Sequence, residues 1–318
     1  MDTKTAEILC TATSDFYRAH AASFSATRTA PWHGWRRCVA AMADASGVAG
    51  GDSLHAAARP GGEGAASDGS SRREGPFWPN RAEGKPPRYG TARADGAGGA
   101  ASCEAAAPPR PAISVFDLAC GNLRFERYLA EALPHADVRS YAVDSCDELA
   151  AEAGNPAIPV VYESSDIVGG LIAGAPLCEL HHAPQVDMAV SFGFLHHVPG
   201  AALRVRVLDG LIDAVRPGGC VAVSLWQFMN NPALAAKARA AHARASAALG
   251  LAADAFDEGD YLLGWNNVEG AWRYCHHFSD EEVGRLIDAV SPLARLIDAF
   301  EADGRTGAMN KYLVLQKA

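Results

Sequence analysis

The chain has 318 residues, a formal net charge of −9 and 49% hydrophobic residues, enough for one large α/β domain or two small ones. The acidic balance argues against broad, nonspecific nucleic-acid binding, although it leaves room for a local basic patch. Eight scattered cysteines (10, 38, 103, 120, 146, 178, 220 and 275) without a C-x-x-C pair fit reduced, cytoplasmic thiols better than a disulfide framework or a zinc site. The acid-bearing N-terminus and the lack of a long apolar run read as neither a signal peptide nor a membrane span.

In chain order, residues 1–44 form an N-terminal helical segment, with a helix expected over 3–28 and Ile8, Phe16, Tyr17 and Phe24 as its apolar contacts. Residues 45–110 hold 13 of the 31 glycines and 7 of the 18 prolines, but one Leu, one Val and no Ile. Such a segment buries too little apolar surface to offset its ordering entropy and reads as a disordered insert. It carries eight Lys/Arg and seven Asp/Glu, a net charge of +1, so the remaining −10 belongs to the folded body. The string Gly75-Pro-Phe-Trp-Pro-Asn-Arg81 is either a short docking motif or an apolar spot in a loop.

Residues 111–318 alternate between strand and helix patterns. Strands are expected at Ile113–Leu118, Val138–Val143, Pro159–Tyr162, Val186–Phe192 and Cys220–Trp226. Helices are expected at Asn122–Leu133, Asp147–Ala153, Ala201–Val215 and Pro232–Gly250, with Arg216-Pro-Gly-Gly219 as the turn into the fifth strand. A last helix over Ser279–Val290 opens on a capping box of Ser279 with Glu282, and Ala294–Glu301 and Lys311–Gln316 close the chain as strands. The alternation implies an α/β fold, a doubly wound and mostly parallel seven-stranded sheet with a closing antiparallel strand, binding ligands at the strands' carboxyl ends.

The chemistry starts at Asp117-Leu-Ala-Cys-Gly-Asn-Leu123, a strand running into a tight small-residue turn and then a helix. Asp144 ends the second strand, 23 residues past Gly121, where an acid in a nucleotide-type fold accepts from ribose hydroxyls. The G-x-G-x-x-G of a dinucleotide site is missing, which makes a NAD oxidoreductase the weakest reading. Ser165-Asp166-Ile167 follows the third strand; Asp166 is either a ligand contact or a plain helix N-cap. Val186-Asp-Met-Ala-Val-Ser-Phe-Gly-Phe-Leu-His-His197 spans the fourth strand.

These four segments, in this order, resemble the class I methyltransferases, which bind S-adenosylmethionine (SAM). The resemblance implies a Rossmann-like fold with SAM as cofactor, held by Asp117, Ala119, Cys120, Gly121, Asp144, Ser145, Asp166, Ile167, Ser191 and Phe192. Asp117 is also readable as a carboxylate that caps the loop. Ala119 and Leu123 stand where that family usually has glycine.

A narrower resemblance lies at the two ends. Asp15-Phe-Tyr17 … Ala21-Ala-Ser-Phe24-Ser-Ala-Thr27-Arg28-Thr-Ala-Pro31-Trp32 is similar to the N-terminus of the wobble-uridine tRNA methyltransferases, which esterify 5-carboxymethyluridine. Gly259-Asp-Tyr … Trp265, Arg273-Tyr-Cys-His-His277-Phe-Ser279, His196-His197 with Arg204, and Asn310-Lys-Tyr312 are similar to further segments of that family. The resemblance implies a tRNA acceptor, a small activator protein as partner, and an N-terminal segment folded over the cofactor cleft. A carboxylate acceptor is ionised at pH 7, so the site needs alignment and cationic compensation more than a general base. Arg28, Arg204 and Arg273 fit that task, since a guanidinium pairs bidentately with carboxylate, and His197 sits where this fold places acceptor-side groups. His196 reads as a core-edge histidine. The His-His pair also suggests a metal, but no third ligand has a helpful spacing and none is expected. Two other functions remain open: a methyltransferase for small O- or N-acceptors, and a catalytically silent SAM-fold binding protein.

Overall fold

The structure is a computed structural model that describes residues 1–45 and 110–318. The insert expected over 45–110, with its Gly75–Arg81 string, lies outside the described residues but for its two end residues.

Two helices lead the chain. α1 (Thr3–Ser25) is capped by Asp2, whose carboxylate accepts from Thr5 N–H at 2.8 Å. It buries Ala6, Leu9, Thr13 and Phe16 at helical spacing. The helix stops three residues short of the expected Arg28. Thr27 and Arg28 instead form turns back to Phe24 and Ser25, and Pro31 disfavours helix at the residue before it. α2 (His33–Ala45) then buries Trp35, Cys38, Val39 and Met42. Its first amide, His33 N–H, donates to the buried Asp303 carboxylate at 2.8 Å.

The remaining elements are β1 (Ala112–Leu118), α3 (Arg124–Ala132), β2 (Asp137–Asp144), α4 (Asp147–Ala151), β3 (Val160–Ser164), α5 (Ile167–Ile172), β4 (Val186–Ser191), α6 (Ala201–Ala214), β5 (Val215–Trp226), α7 (Pro232–Leu249), β6 (Asp260–Trp265), β7 (Val268–His276), α8 (Asp280–Val290), β8 (Ala294–Ala302) and β9 (Asn310–Lys317). Seven strands form one sheet in the order β3-β2-β1-β4-β5-β9-β8. β1 to β5 pair in parallel, and β9 runs antiparallel between β5 and β8. This is the mostly parallel seven-stranded sheet with a closing antiparallel strand that the sequence implies. The strand order reverses between β1 and β4, which opens a crevice at their carboxyl ends.

Both faces of the sheet are covered. Phe116, Leu118, Ala189 and Val221 pack with Val207, Leu211 and Leu286 of α6 and α8. On the other face Val115, Val190 and Val314 pack with Trp35, Val39, Phe125 and Leu129 of α2 and α3. Adjacent strand residues go to opposite layers, as the two-residue strand period requires.

Two elements depart from the expected reading. Arg216-Pro-Gly-Gly219 is not a turn before β5 but a bulge inside it: Val215 pairs with Val186, and the next pair is Cys220 with Met188. Gly219 is required there, because a Cβ would lie 2.8 Å from the Arg216 carbonyl and 2.9 Å from that of Asp187. The hairpin β6–β7, absent from the expected strands, forms a separate two-stranded sheet. Its two-residue turn, Asn266-Asn267, has φ of 46° and 58°, the left-handed pair that asparagine tolerates in tight hairpins. Among the described residues no helix is long and apolar enough to cross a membrane.

Candidate functional site

The crevice has two sides. One is the loop after β1. Ala119, Gly121 and Leu123 all take left-handed φ, at 65°, 56° and 51°. The backbone thus keeps the glycine-rich conformation at all three alternate positions although two side chains are not glycine. Ala119 and Cys120 both donate N–H to the Val143 carbonyl, at 2.7 and 3.1 Å. Asp144 joins this loop to the next one: Oδ2 accepts from Gly121 N–H at 2.8 Å and Oδ1 from Cys146 N–H at 2.9 Å. Burial raises the Asp144 pKa, against the opposing pull of the Cys146, Gly121 and Ser145 amides. The space beside Gly121 is open, with no atom within 4 Å of a built Cβ. Half-buried Asp144, exposed Ser145 and exposed Asp166 border the crevice. Asp166 caps α5 through Gly169 N–H at 2.9 Å.

The side chains of other residues expected to hold the cofactor are packed into the fold. Asp117 alternates onto the α3 face and is buried beside Glu126, whose Oε1 accepts from Ser140 at 2.9 Å. Burial, and then the Glu126 charge, push Asp117 well above the carboxylate range, so it is a buried acid behind the loop. Ser191 is fully buried and donates to the Leu118 carbonyl at 3.0 Å. Phe192 packs against Phe125 at 5.0 Å and Trp35 at 5.7 Å. Ile167 belongs to the core under α6. Cys120 packs with Leu123 and Ala142. Their side chains were expected at the ligand because they neighbour it in sequence, but the strand period and helix packing turn them inward.

The other side is built by α1 and the hairpin. α1 packs against β7, α4 and α5, so it crosses the carboxyl edge of the sheet. His197, in a short turn after β4, is buried. Its Nδ1 lies 2.6 Å from the Tyr274 carbonyl and its Nε2 2.8 Å from the Tyr17 hydroxyl. A carbonyl only accepts, so Nδ1 carries the proton and Nε2 accepts from Tyr17. Burial, and then the Arg273 charge, lower the His197 pKa to about 3, so the ring is neutral. Tyr17, pushed to about 12 by burial, remains a phenol.

Two arginines stand over the same aromatic floor. The Arg28 guanidinium carbon lies 3.3 Å from the Phe24 ring centre and 5.6 Å from that of Trp265. That of Arg273 lies 4.9 Å from Phe16 and 5.5 Å from the same Trp265. Arg28 donates to Thr27 Oγ1 at 2.8 Å; Arg273 is buried, and its Nη1 has no hydrogen-bond partner among the described residues. Neither arginine has a carboxylate partner among those residues. Burial lowers the Arg28 pKa to about 9, and the Arg273 charge adds to the effect. A cavity of about 330 Å³ opens between the end of α1 and the loop after β1, lined by Ser25, Arg28, Asn122, Arg127 and Glu152 among others.

Arg204 is not part of this site. It is 2% exposed and pairs with Glu282 at 3.0 Å, while Nη1 donates to the Val198 carbonyl at 3.1 Å. An arginine engaged in this way has no fork left for an acceptor. Glu282 accordingly does not complete the capping box. Ser279 accepts from Glu282 N–H at 3.2 Å, but the Glu282 carboxylate turns to Arg204 and His276. The fold also supplies the third metal donor that sequence spacing lacked: His196, His197 and Cys275 offer atoms within 4.8 Å of one another. Both His197 nitrogens are already engaged, whereas His196 Nδ1 is buried without a hydrogen-bond partner among the described residues; burial, and then neighbouring groups that include Arg28 and Arg273, keep both imidazoles neutral and oppose a cation here. Tyr17 and Trp265 are the site residues that sequence reasoning missed as functional. Tyr17 reads in sequence as an apolar contact, and the signal that could have found it is its place, with Arg28, in the N-terminal segment of the narrower resemblance.

No family model and no curated protein sequence matches the chain. Similar solved structures include a SAM-dependent methyltransferase from Methanosarcina mazei, 16% identical with a TM-score of 0.45, over 66% of this chain and 94% of that one. Another is a SAM-dependent methyltransferase from Clostridium acetobutylicum, 11% identical, TM-score 0.41, over 64% and 84%. A third is the N-methyltransferase NodS from Bradyrhizobium japonicum in complex with S-adenosyl-L-homocysteine, 11% identical, TM-score 0.40, over 64% and 78%.

Proposed function

We propose that the protein is a SAM-dependent methyltransferase whose acceptor is a carboxylate, such as the carboxymethyl group of a tRNA wobble uridine. The observation that carries this reading is the pair of arginines, Arg28 and Arg273, over one tryptophan and beside Tyr17 and His197, with no carboxylate partner among the described residues. Buried cations without counter-ions are costly, and an acceptor carboxylate would relieve that cost while being aligned by it.

SAM, when bound, supplies a methyl group on a sulfonium. Asp144 offers carboxylate lone pairs beyond the two amides it already accepts from, and the loop leaves open space beside Gly121, so the residues present fit a ribose-bearing ligand. The transfer forms an O–CH₃ bond and breaks an S–CH₃ bond, and no proton moves when the acceptor is a carboxylate. The chain's residues therefore have to bind, orient and exclude water. Arg28 and Arg273 hold the anion, Trp265 and Phe24 form the floor, and α1 covers the crevice. His197, neutral with Nε2 accepting from Tyr17, fixes the phenol as a wall of the crevice; the one Tyr17 proton is spent on that bond.

The body's charge of −10 favours a second reading, a small carboxylate acceptor in place of tRNA. Incubating the protein with labelled SAM and either tRNA bearing 5-carboxymethyluridine or a panel of small carboxylates, with and without a candidate small activator protein, separates the two. Base-labile label is expected in one arm and is expected to vanish in Arg273→Met. Label that resists mild base would mark an ether, N- or C-methyl product and overturn the carboxylate reading; no SAM binding by calorimetry would overturn the enzyme reading. Because Arg28 is lowered to about 9, kcat/KM should fall as pH rises past about 9, where the free enzyme loses that positive charge.

A further inference from the structure

A closed set of buried groups lies behind His197, on the side away from the arginines. Tyr274 is fully buried on β7 and held at three atoms. Its N–H donates to Thr13 Oγ1 of α1 at 3.0 Å, its hydroxyl donates to Asp260 Oδ1 of β6 at 2.6 Å, and its carbonyl takes the His197 proton. The same Asp260 oxygen faces His276 Nδ1 at 2.7 Å, and His276 Nε2 faces Glu282 Oε2 of α8 at 2.5 Å. Glu282 Oε1 pairs with Arg204 of α6, which donates to the Val198 carbonyl, one residue past His197, and lies 3.4 Å from the Tyr274 hydroxyl. With a carboxylate at each nitrogen, His276 carries a proton on both and is an imidazolium. Asp260, Glu282, His276 and Arg204 then balance two negative charges with two positive ones, all of them buried.

We propose that His276, through Asp260 and Tyr274 on one side and Glu282 and Arg204 on the other, is a positioning residue that locks the Tyr274 carbonyl against His197 and so keeps His197 in the Nδ1–H tautomer. None of the four charged groups reaches the arginine pair or the loop after β1. Their contacts end on the Tyr274 hydroxyl and on the Val198 carbonyl, and the Tyr274 carbonyl that meets His197 belongs to the residue so held. A tautomer is decided by what the second nitrogen meets, so a carbonyl that moves out of hydrogen-bonding range, roughly 1 Å beyond its present 2.6 Å, frees Nδ1 to lose its proton to Nε2. Tyr17 would then lose its acceptor, and the phenol would turn. The groups facing His276 come from every neighbouring element: Asp260 from β6, Glu282 from α8, Arg204 from α6, and Tyr274 and His277 from its own strand end.

The catalytic consequence rests on the methyltransferase reading, but the tautomer does not, and the test separates them. Tyr274→Phe removes the hydroxyl's links to Asp260 and Arg204; His276→Gln reaches one carboxylate at most. Each variant, in the full chain, is examined by long-range ¹⁵N–¹H spectra of His197, by calorimetry with SAM, and by turnover on tRNA bearing 5-carboxymethyluridine. Both variants are expected to show mixed His197 tautomers and to lose roughly ten-fold or more in kcat, the range for displaced supporting partners, at unchanged SAM affinity. A single Nδ1–H tautomer in folded Tyr274→Phe overturns the proposal, whatever becomes of His276→Gln. Mixed tautomers in a protein that neither binds SAM nor transfers a methyl would uphold the positioning role and sink the enzyme reading instead.

Discussion

Arg204 and Arg273 are both buried arginines within reach of Tyr274, and they are opposite in kind. Arg204 sits in a neutral ring with Glu282, His276 and Asp260, its fork spent on a carboxylate and a carbonyl. Arg273, with Arg28, lies over aromatic faces with no carboxylate partner among the described residues. Charge compensated inside the fold marks architecture, whereas charge left uncompensated beside an open crevice marks a place for something that arrives. Tyr274 stands between the two: its hydroxyl belongs to the first cluster and its carbonyl serves the second.

The largest effect that should separate the clusters is on stability. Glu282→Ala leaves Arg204 and His276 without their shared carboxylate and is expected to cost about 3–5 kcal/mol in urea unfolding. Arg273→Met removes an uncompensated cation and should leave stability unchanged or raised while abolishing turnover on the acceptor. The opposite pattern would erase the distinction. The pH dependence sharpens it. Burial lowers the His276 pKa, but its hydrogen bonds to Asp260 and Glu282 raise it more, for a net increase. Its contribution is therefore complete below about pH 6.5 and lost as pH rises through the raised folded value. The melting-temperature gap between wild type and His276→Gln should accordingly narrow as pH rises above about 6.5.

An intermediate effect tests the loop side of the crevice. Asp144→Ala should weaken SAM binding more than ten-fold, about 2 kcal/mol, as read by calorimetry. Part of that loss comes from freeing Gly121 and Cys146, whose amides Asp144 now holds. Unchanged affinity would remove Asp144 from the site.

The smallest effect concerns the left-handed loop residues. Ala119 at φ 65° has ordinary neighbours and no bulky side chain to lose, so Ala119→Gly should relieve strain and gain up to about 1 kcal/mol. Leu123→Gly should lose instead, because Leu123 is 8% exposed and packs with Cys120 and Ala142. Thermal melts of the two variants moving in the same direction would contradict this assignment.

Much of the fold follows from the sequence alone, since apolar periodicity is local. β1, β2, β4, α7 with its Gly250 cap, and α8 with its Ser279 cap are within a residue or two of where their patterns end. Asp144 at the end of β2 was likewise legible, because the spacing from Gly121 is set by one strand–helix–strand unit. The hairpin β6–β7 was not read, although Asn266-Asn267 between two apolar runs was the available signal. The three arginines near the site were indistinguishable as sequence: each lies in a segment that resembles the same family. Arg204 is paired because α8 brings Glu282 to it from 78 positions away, and Arg273 is not because α1 presents Phe16 and Tyr17 to it rather than a carboxylate. Backbone conformation depends on neighbours in the chain, so it can be read from the chain; the pairing of a buried charge depends on neighbours in space, and only the packed tertiary structure decided it.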